Sequence, residues 1–323
     1  MKTLIRPLKT TQLRRWPILA VCLAMLLGLL PPQRQVLAAP AMAPPAAPLP
    51  APNACPASPS GLPDVVERTD FCVYYDDSNI TDAEADDIAD FTQAYWDRYV
   101  TGLGFLTPLF TSKLVIEVQD AASCNGGTSP GWNHFYVYDE CFSSDEQMRK
   151  VVGHELFHRV QYSYHGTEVK WFKEGTARAI EDNAFADIDN WPAALSSTSS
   201  FNTEANNYLS NTNADITSIP MRYMSALWWK YFMEQYGTDP DEPELGVDAL
   251  LHLWQAAVAL DDIAALNQAF STLGTGSSFD PAFRKFVAAN WLKDLSSQPS
   301  AEYNYVDEDQ AGNPGQYGPI FPS

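Results

Sequence analysis

The stretch that most constrains the chain runs from Val151 to Asp182, VVGHELFHRVQYSYHGTEVKWFKEGTARAIED, and holds three of its five histidines. Ser144 followed by Gln147 reads as a capping box, and Met148, Val151, Val152, Leu156 and Phe157 recur at helical spacing, so a helix is predicted across His-Glu-x-x-His. On a helix, residues i and i+4 lie one turn apart on one face, which lets His154 and His158 offer ring nitrogens to a single ion. Zinc is the ion that suits two imidazoles in a site open to water. Glu155 is turned about 100° from His154, which sets its carboxylate beside the metal's open position, where a general base acts. Glu174 follows at the start of a second predicted helix, Trp171 to Asp187, with Gly175 leaving room for close backbone approach. Two imidazoles, a carboxylate and an open position make a catalytic-type site, one zinc per chain. The competing reading is a chance pair of surface or core histidines; the apolar flanks of the motif and the nearby carboxylate count against it.

How such a site is read depends on compartment. Lys2, Arg6, Lys9, Arg14 and Arg15 precede the uncharged run Pro17 to Leu30, and PPQRQVLAA follows, which is signal-peptide order over residues 1–38 with cleavage after Ala38. The apolar run is short of the roughly 17 to 25 residues of a bilayer span. Leu13 and Pro17 fit a twin-arginine signal poorly, and Val21 fits a lipid-attachment box poorly, so a general secretory route to the periplasm or the cell exterior is expected. Loss of six basic and no acidic residues with this segment moves the formal charge from −20 to −26. Such a field argues against nucleic acid or an anionic membrane as partner. Cys22 leaves with the signal, and Cys55, Cys72, Cys124 and Cys141 form an even set in an oxidising compartment, read as two disulfides. Three connectivities are open; pairing nearest neighbours, Cys55 with Cys72 and Cys124 with Cys141, would close two local loops.

Residues 39–63 are mostly Ala and Pro and read as an extended linker. The folded domain is expected over 64–296, with an acidic, Gly- and Pro-containing tail over 297–323. Asp70 to Asp76, Lys113 to Val118 and Asn133 to Asp139 read as strands, and Thr81 with Glu84 boxes a helix between the first two. The Gly-rich SCNGGTSPGW is expected as loop. Helices are expected over Met221 to Tyr236, Val247 to Ala259, Ile263 to Leu273 and Pro281 to Asp294, the last capped by Asp280. Strands come early and helices late, so the class is α+β.

VVGHELFH followed by WFKEGTA resembles the glutamate-zincin (gluzincin) metallopeptidases of clan MA, the group of thermolysin-like proteases and zinc aminopeptidases. It is closest to a bacterial peptidase-MA-like branch in which a W-x-x-E-G-x-A helix follows the His-Glu-x-x-His helix. The motifs span residues 151–182. The resemblance implies a zincin-like fold, a cleft between a strand-containing N-terminal lobe and a helical C-terminal lobe, His154, His158 and Glu174 as zinc ligands, and Glu155 as base. It also implies that the strand before the active-site helix, Asn133 to Asp139, is an edge that pairs with extended substrate. Arg178 stands where thermolysin-like enzymes place an Asp four residues after the ligand Glu. Glu181 resembles the aminopeptidase pattern and is implied as the partner behind a ligand, so endo- and exo-cleavage both stay open. The metzincin pattern fails, since Gln161 and Tyr164 stand where Gly and His are required, and His165 misses by one residue.

Peptide hydrolysis also needs a donor to the developing oxyanion. Tyr223 is the candidate, with His165 and His134 behind it, and core packing is the competing role for Tyr223. Calcium has only two incomplete acidic runs to support it, DDSNITDAEADD and VDEDQAG, neither with a distal carboxylate. The function expected is therefore a secreted zinc metallopeptidase acting on peptide or protein. The alternatives are a zinc-bound hydrolase of another class, a catalytically silent extracellular binding module, and an interaction protein with a chance motif. The intact Glu155 argues against the silent module, which needs no base.

Overall fold

The structure is a computed structural model and describes residues 54–108, 112–184, 221–240 and 245–292. The expected signal peptide (1–38), residues 39–53 of the linker and the tail (297–323) lie outside the described residues. The chain is α+β. Five strands, β1 (Asp64–Glu67), β2 (Phe71–Tyr75), β3 (Leu114–Gln119), β4 (Gly126–Thr128) and β5 (His134–Tyr138), form one sheet in the order β1-β2-β3-β5-β4. The inner pairs β2/β3 and β3/β5 are parallel, and the outer pairs β1/β2 and β4/β5 are antiparallel.

Between β2 and β3 runs α1 (Asp82–Trp96), opened by the expected box: Glu84 N donates to Thr81 Oγ1 and Thr81 N donates to the Glu84 carboxylate. After β5 comes α2 (Asp145–Tyr164), the motif helix. Its box is half made: Gln147 N donates to Ser144 Oγ, while the Gln147 carbonyl turns to accept from Ser143 Oγ. The remaining helices are α3 (Lys170–Ala179), a four-residue α4 (Met221–Met224), α5 (Ala226–Tyr236), α6 (Val247–Ala257), α7 (Asp262–Thr272) and α8 (Phe279–Leu292). None of the described helices is long and apolar enough to cross a membrane.

Side chains alternate across the sheet, so each strand serves two environments. Phe71, Val73, Leu114, Ile116, Val118, Phe135 and Val137 enter the main core, with Ile88 of α1 and Val152, Leu156 and Phe157 of α2. On the opposite face Cys72, Tyr74 and Val115 form a small cluster covered by Cys55 and Leu62. The packed region thus reaches back to Cys55, ahead of the expected start at Asp64. The buried Glu117 holds that cover, accepting from Ser58 Oγ at 2.7 Å, Ser60 N at 2.7 Å and Ser60 Oγ at 2.6 Å. Both disulfides pair nearest neighbours, Cys55–Cys72 and Cys124–Cys141. The first pins the N-terminal segment to β2. The second joins the approach to β4 with the 3-10 turn Asp139–Ser143 that leads into α2.

Several boundaries differ from expectation for local reasons. The helix predicted from Trp171 to Asp187 stops at Ala179, and a 3-10 turn, Glu181–Ala184, follows; residues 185–187 lie outside the described residues. The segment Met221 to Tyr236 breaks at Ser225, whose hydroxyl is turned onto the carbonyls of Arg222 and Trp171. α8 begins at Phe279, before the expected Asp280 cap, because Phe279 N donates to the Asn267 side chain on α7. The Gly-rich loop contains a strand after all: Gly126–Thr128 pairs antiparallel with β5. That pairing places β5 between β3 and β4, so β5 is not an edge of the sheet; β4 ends the sheet on that side.

Candidate metal centre

α2 and α3 bring the three proposed ligands together. His154 Nε2 lies 3.4 Å and His158 Nε2 3.2 Å from Glu174 Oε2, and the two imidazole rings stand nearly perpendicular with centroids 4.6 Å apart. Four ligand bonds of zinc length in a tetrahedron would leave ligand atoms about 3.4 Å apart, close to the separations between these imidazoles and the carboxylate. His154 and His158 are nearly buried, and Glu174 is largely so.

The outer ring nitrogens decide where the inner lone pairs point. His158 Nδ1 lies 2.7 Å from Gln161 Oε1, while Gln161 Nε2 donates to the Lys173 carbonyl and to Thr176 Oγ1, both at 2.9 Å. A carbonyl only accepts, so the amide orientation is fixed and Gln161 Oε1 must accept from His158 Nδ1–H. His154 Nδ1–H likewise donates to Glu181 Oε1 at 2.9 Å. Glu181 is fully buried and also pairs with Arg178, at 3.3 Å. Both Nε2 atoms therefore turn lone pairs toward a carboxylate oxygen. Three electron-rich atoms face one another, an arrangement that needs a proton or a cation at its centre.

The electrostatics express the same need. Burial pushes the Glu174 carboxyl up, but hydrogen bonds and charge from His154 and His158 more than reverse this and hold it well below the usual carboxylate range. Burial lowers His154, and hydrogen bonds to Glu174 and Glu181 override it, pushing the imidazole up to about 10. A dication held there would take the place of that proton, so metal binding would compete with protonation. By donor set, separation and lone-pair direction the residues fit zinc.

Glu155 sits beside the triad, buried, with Oε2 lacking any hydrogen-bond partner among the described residues. Burial raises its carboxyl above the ordinary value, the two imidazoles opposing. The edge strand passes very close: a Cβ on Gly126 would lie 2.8 Å from Glu155 Cγ and 2.8 Å from Val151 Cγ1, so no other residue admits this approach of β4 to α2. Gly175 gives the matching closeness on the far side, where a Cβ would lie 2.1 Å from Ser225 Oγ and 2.5 Å from Trp229 Cδ1. Trp171 completes that contact: its carbonyl accepts from Ser225 Oγ at 2.9 Å and from Trp229 Nε1 at 3.1 Å.

Tyr223 on α4 is near the centre, its ring 6.2 Å from that of His154. Burial and the Glu174 carboxylate keep its phenol protonated and able to donate. Tyr162 is a second phenol that the sequence reading missed. It stacks 6.1 Å from His158, and burial followed by Glu155 and Glu174 pushes it up to about 12. Its signal was its position four residues after His158, on the same face of α2.

The other two oxyanion candidates go elsewhere. His134 alternates with the core residues Phe135 and Val137, which turns it to the face away from α2, and it stacks on Trp132 at 4.5 Å. His165 contacts Glu168 at 3.2 Å and Asp261 at 3.5 Å. In the first acidic run three of the six carboxylates have other partners: Asp82 accepts from Tyr75, Glu84 caps α1, and Asp86 pairs with Arg68. The second run lies outside the described residues. Among known proteins, the chain matches no family model and no curated protein.

Proposed function

We propose that the chain is an extracellular zinc metallopeptidase of gluzincin type, with one zinc held by His154, His158 and Glu174. The observation that carries this reading is the convergence of three lone-pair donors with a buried, unpartnered carboxylate oxygen of Glu155 beside them. A binding module gains nothing from such a base, and a buried acceptor left open is costly unless a ligand uses it.

Zinc, when bound, lowers the pKa of water and polarises a carbonyl. Glu155 takes the proton of the attacking water and returns it to the leaving amine. Its raised carboxyl suits both directions of transfer, because a group titrating nearer neutrality both accepts and gives up a proton. Tyr223 and Tyr162 donate to the oxyanion as it develops. Gln161 and Glu181 hold the imidazoles in the tautomer that leaves Nε2 free. An extended peptide adds to the open edge of β4, which runs beside Glu155, in place of the β5 edge first expected. The two disulfides fit the oxidising compartment that the N-terminal segment implies.

Purified protein is expected to hold one zinc per chain. His154→Ala is expected to abolish tight binding and Glu174→Gln to weaken it, read by metal analysis after dialysis. Unchanged stoichiometry in both variants would rule out these ligands.

A further inference from the structure

One cation beside the candidate centre has no carboxylate partner among the described residues. The chain carries 40 Asp and Glu against 20 Lys and Arg, so a basic side chain should find a carboxylate easily. Several do: Arg68 pairs with Asp86 and Asp90, Lys113 with Glu67, Lys150 with Glu146, and Arg178 with Glu181. Arg222 pairs with no carboxylate among the described residues. Among the described residues its Nη2 reaches only Tyr223 Oη, at a long 3.5 Å, and its Nε is buried without an acceptor. The guanidinium carbon lies 5.1 Å from the Tyr223 ring centre, and that ring lies 6.2 Å from the His154 ring. Arg222 is therefore one aromatic ring away from a metal ligand, within about three residues' length of extended peptide.

The backbone that carries it is fixed to the centre. Ser225 Oγ contacts the Arg222 carbonyl at 2.6 Å and the Trp171 carbonyl at 2.9 Å, which ties the α4 turn to the helix holding Glu174. Packing on Tyr223 uses one face of the guanidinium and leaves a buried donor unsatisfied, a costly arrangement unless a ligand accepts from it.

We propose that Arg222 is an anion subsite that takes a carboxylate of the substrate peptide near the scissile bond, either an acidic side chain or the C-terminal carboxylate. This rests on the peptidase reading above. A planar guanidinium with open N–H groups suits a carboxylate, which it can grip by two parallel hydrogen bonds. The protein's negative field repels acidic peptides at long range, so the preference arises from contact, and it should persist as salt screens the repulsion.

The test compares matched peptides that carry Glu or Gln at each position flanking the cleaved bond, each with a free or an amidated C-terminus. Zinc-loaded protein gives kcat/KM, and the zinc-loaded Glu155→Gln variant gives calorimetric affinity without depending on turnover. The carboxylate form is expected to be favoured by on the order of 10- to 100-fold at one position. Preference for internal Glu identifies a side-chain carboxylate, and preference for the free terminus identifies the terminal one. The ratio is expected to fall toward one in Arg222→Met and partly in Arg222→Lys, which keeps the charge but loses the fork and carries the comparison if the Met variant fails to fold. Cleavage of neutral peptides with no carboxylate preference, or with a preference that the variants leave intact, overturns the subsite alone. Zinc-loaded protein that neither cleaves nor binds any peptide overturns the peptidase reading and the subsite together.

Discussion

Gln161 occupies the position at which the metzincin pattern fails, and in this chain it orients the His158 ring. Its amide is fixed by the Lys173 carbonyl and Thr176, and it accepts from His158 Nδ1. Gln161→Leu should keep the fold but free the His158 ring, and zinc affinity measured against a competing chelator is expected to fall by about 10- to 100-fold. An unchanged affinity would remove Gln161 from the site. Glu117 carries a second prediction, for stability. Burial raises its carboxyl, but hydrogen bonds from Ser60 and Ser58 outweigh this and leave it below its ordinary value. A depressed folded pKa contributes stability that is present above the unfolded pKa, about 4.3, and is lost as pH falls through the folded value. Glu117→Gln is expected to cost about 1.5–3 kcal/mol near neutrality, with the gap closing below about pH 4 in urea denaturation. A gap independent of pH would show that the charge is not what holds residues 58–60. His154, His158 and Glu174 were legible because helical periodicity sets the first two on one face and a short loop returns the third. Gln161 and Tyr162 were not, since their roles depend on how far a side chain reaches once α3 is packed.

At the scale of elements, what the sequence concealed was governed by packing distance. Gly126–Thr128 has little strand propensity and reads as loop, yet it forms the sheet edge because only glycine fits between Tyr136 and the Glu155 side chain. The predicted single helix after Trp171 divides because the Glu181 carboxylate is held by His154 from α2, and the 3-10 turn that starts at Glu181 follows the end of α3. Conversely, Thr81 with Glu84 and the strand runs were plain, since caps and alternation act within a few residues. Gly175 was flagged for close approach, and Ser225, which caps α5, and Trp229 within it supply the approaching atoms. Gly175→Ala must separate α3 from α5, which is expected to cost about 1–3 kcal/mol or more and to weaken zinc binding by displacing Glu174. Denaturation and chelator competition on the same preparation check both effects. Full stability with unchanged zinc would mean that the contact gives way without moving the ligand.

For the whole molecule, a five-stranded sheet and two packed helices carry the cluster of His154, His158 and Glu174 in a chain of strongly negative charge, and each disulfide ties a region next to the sheet. The class follows from the order of elements along the chain, whereas the disulfide pairing, one of three left open by the sequence, is fixed by the fold. The edge strand and the Arg222 guanidinium without a carboxylate among the described residues follow only from the fold. The central claim is that this scaffold exists to place Glu155 beside a zinc ion as a base. Glu155→Gln keeps size and hydrogen bonding and removes the proton acceptor. The most direct measurement is zinc content and cleavage rate, taken together, for wild type and this variant on casein or a mixed peptide library. Equal zinc with cleavage lower by roughly 10²- to 10⁴-fold in the variant is the predicted result. Equal zinc with equal cleavage would contradict it.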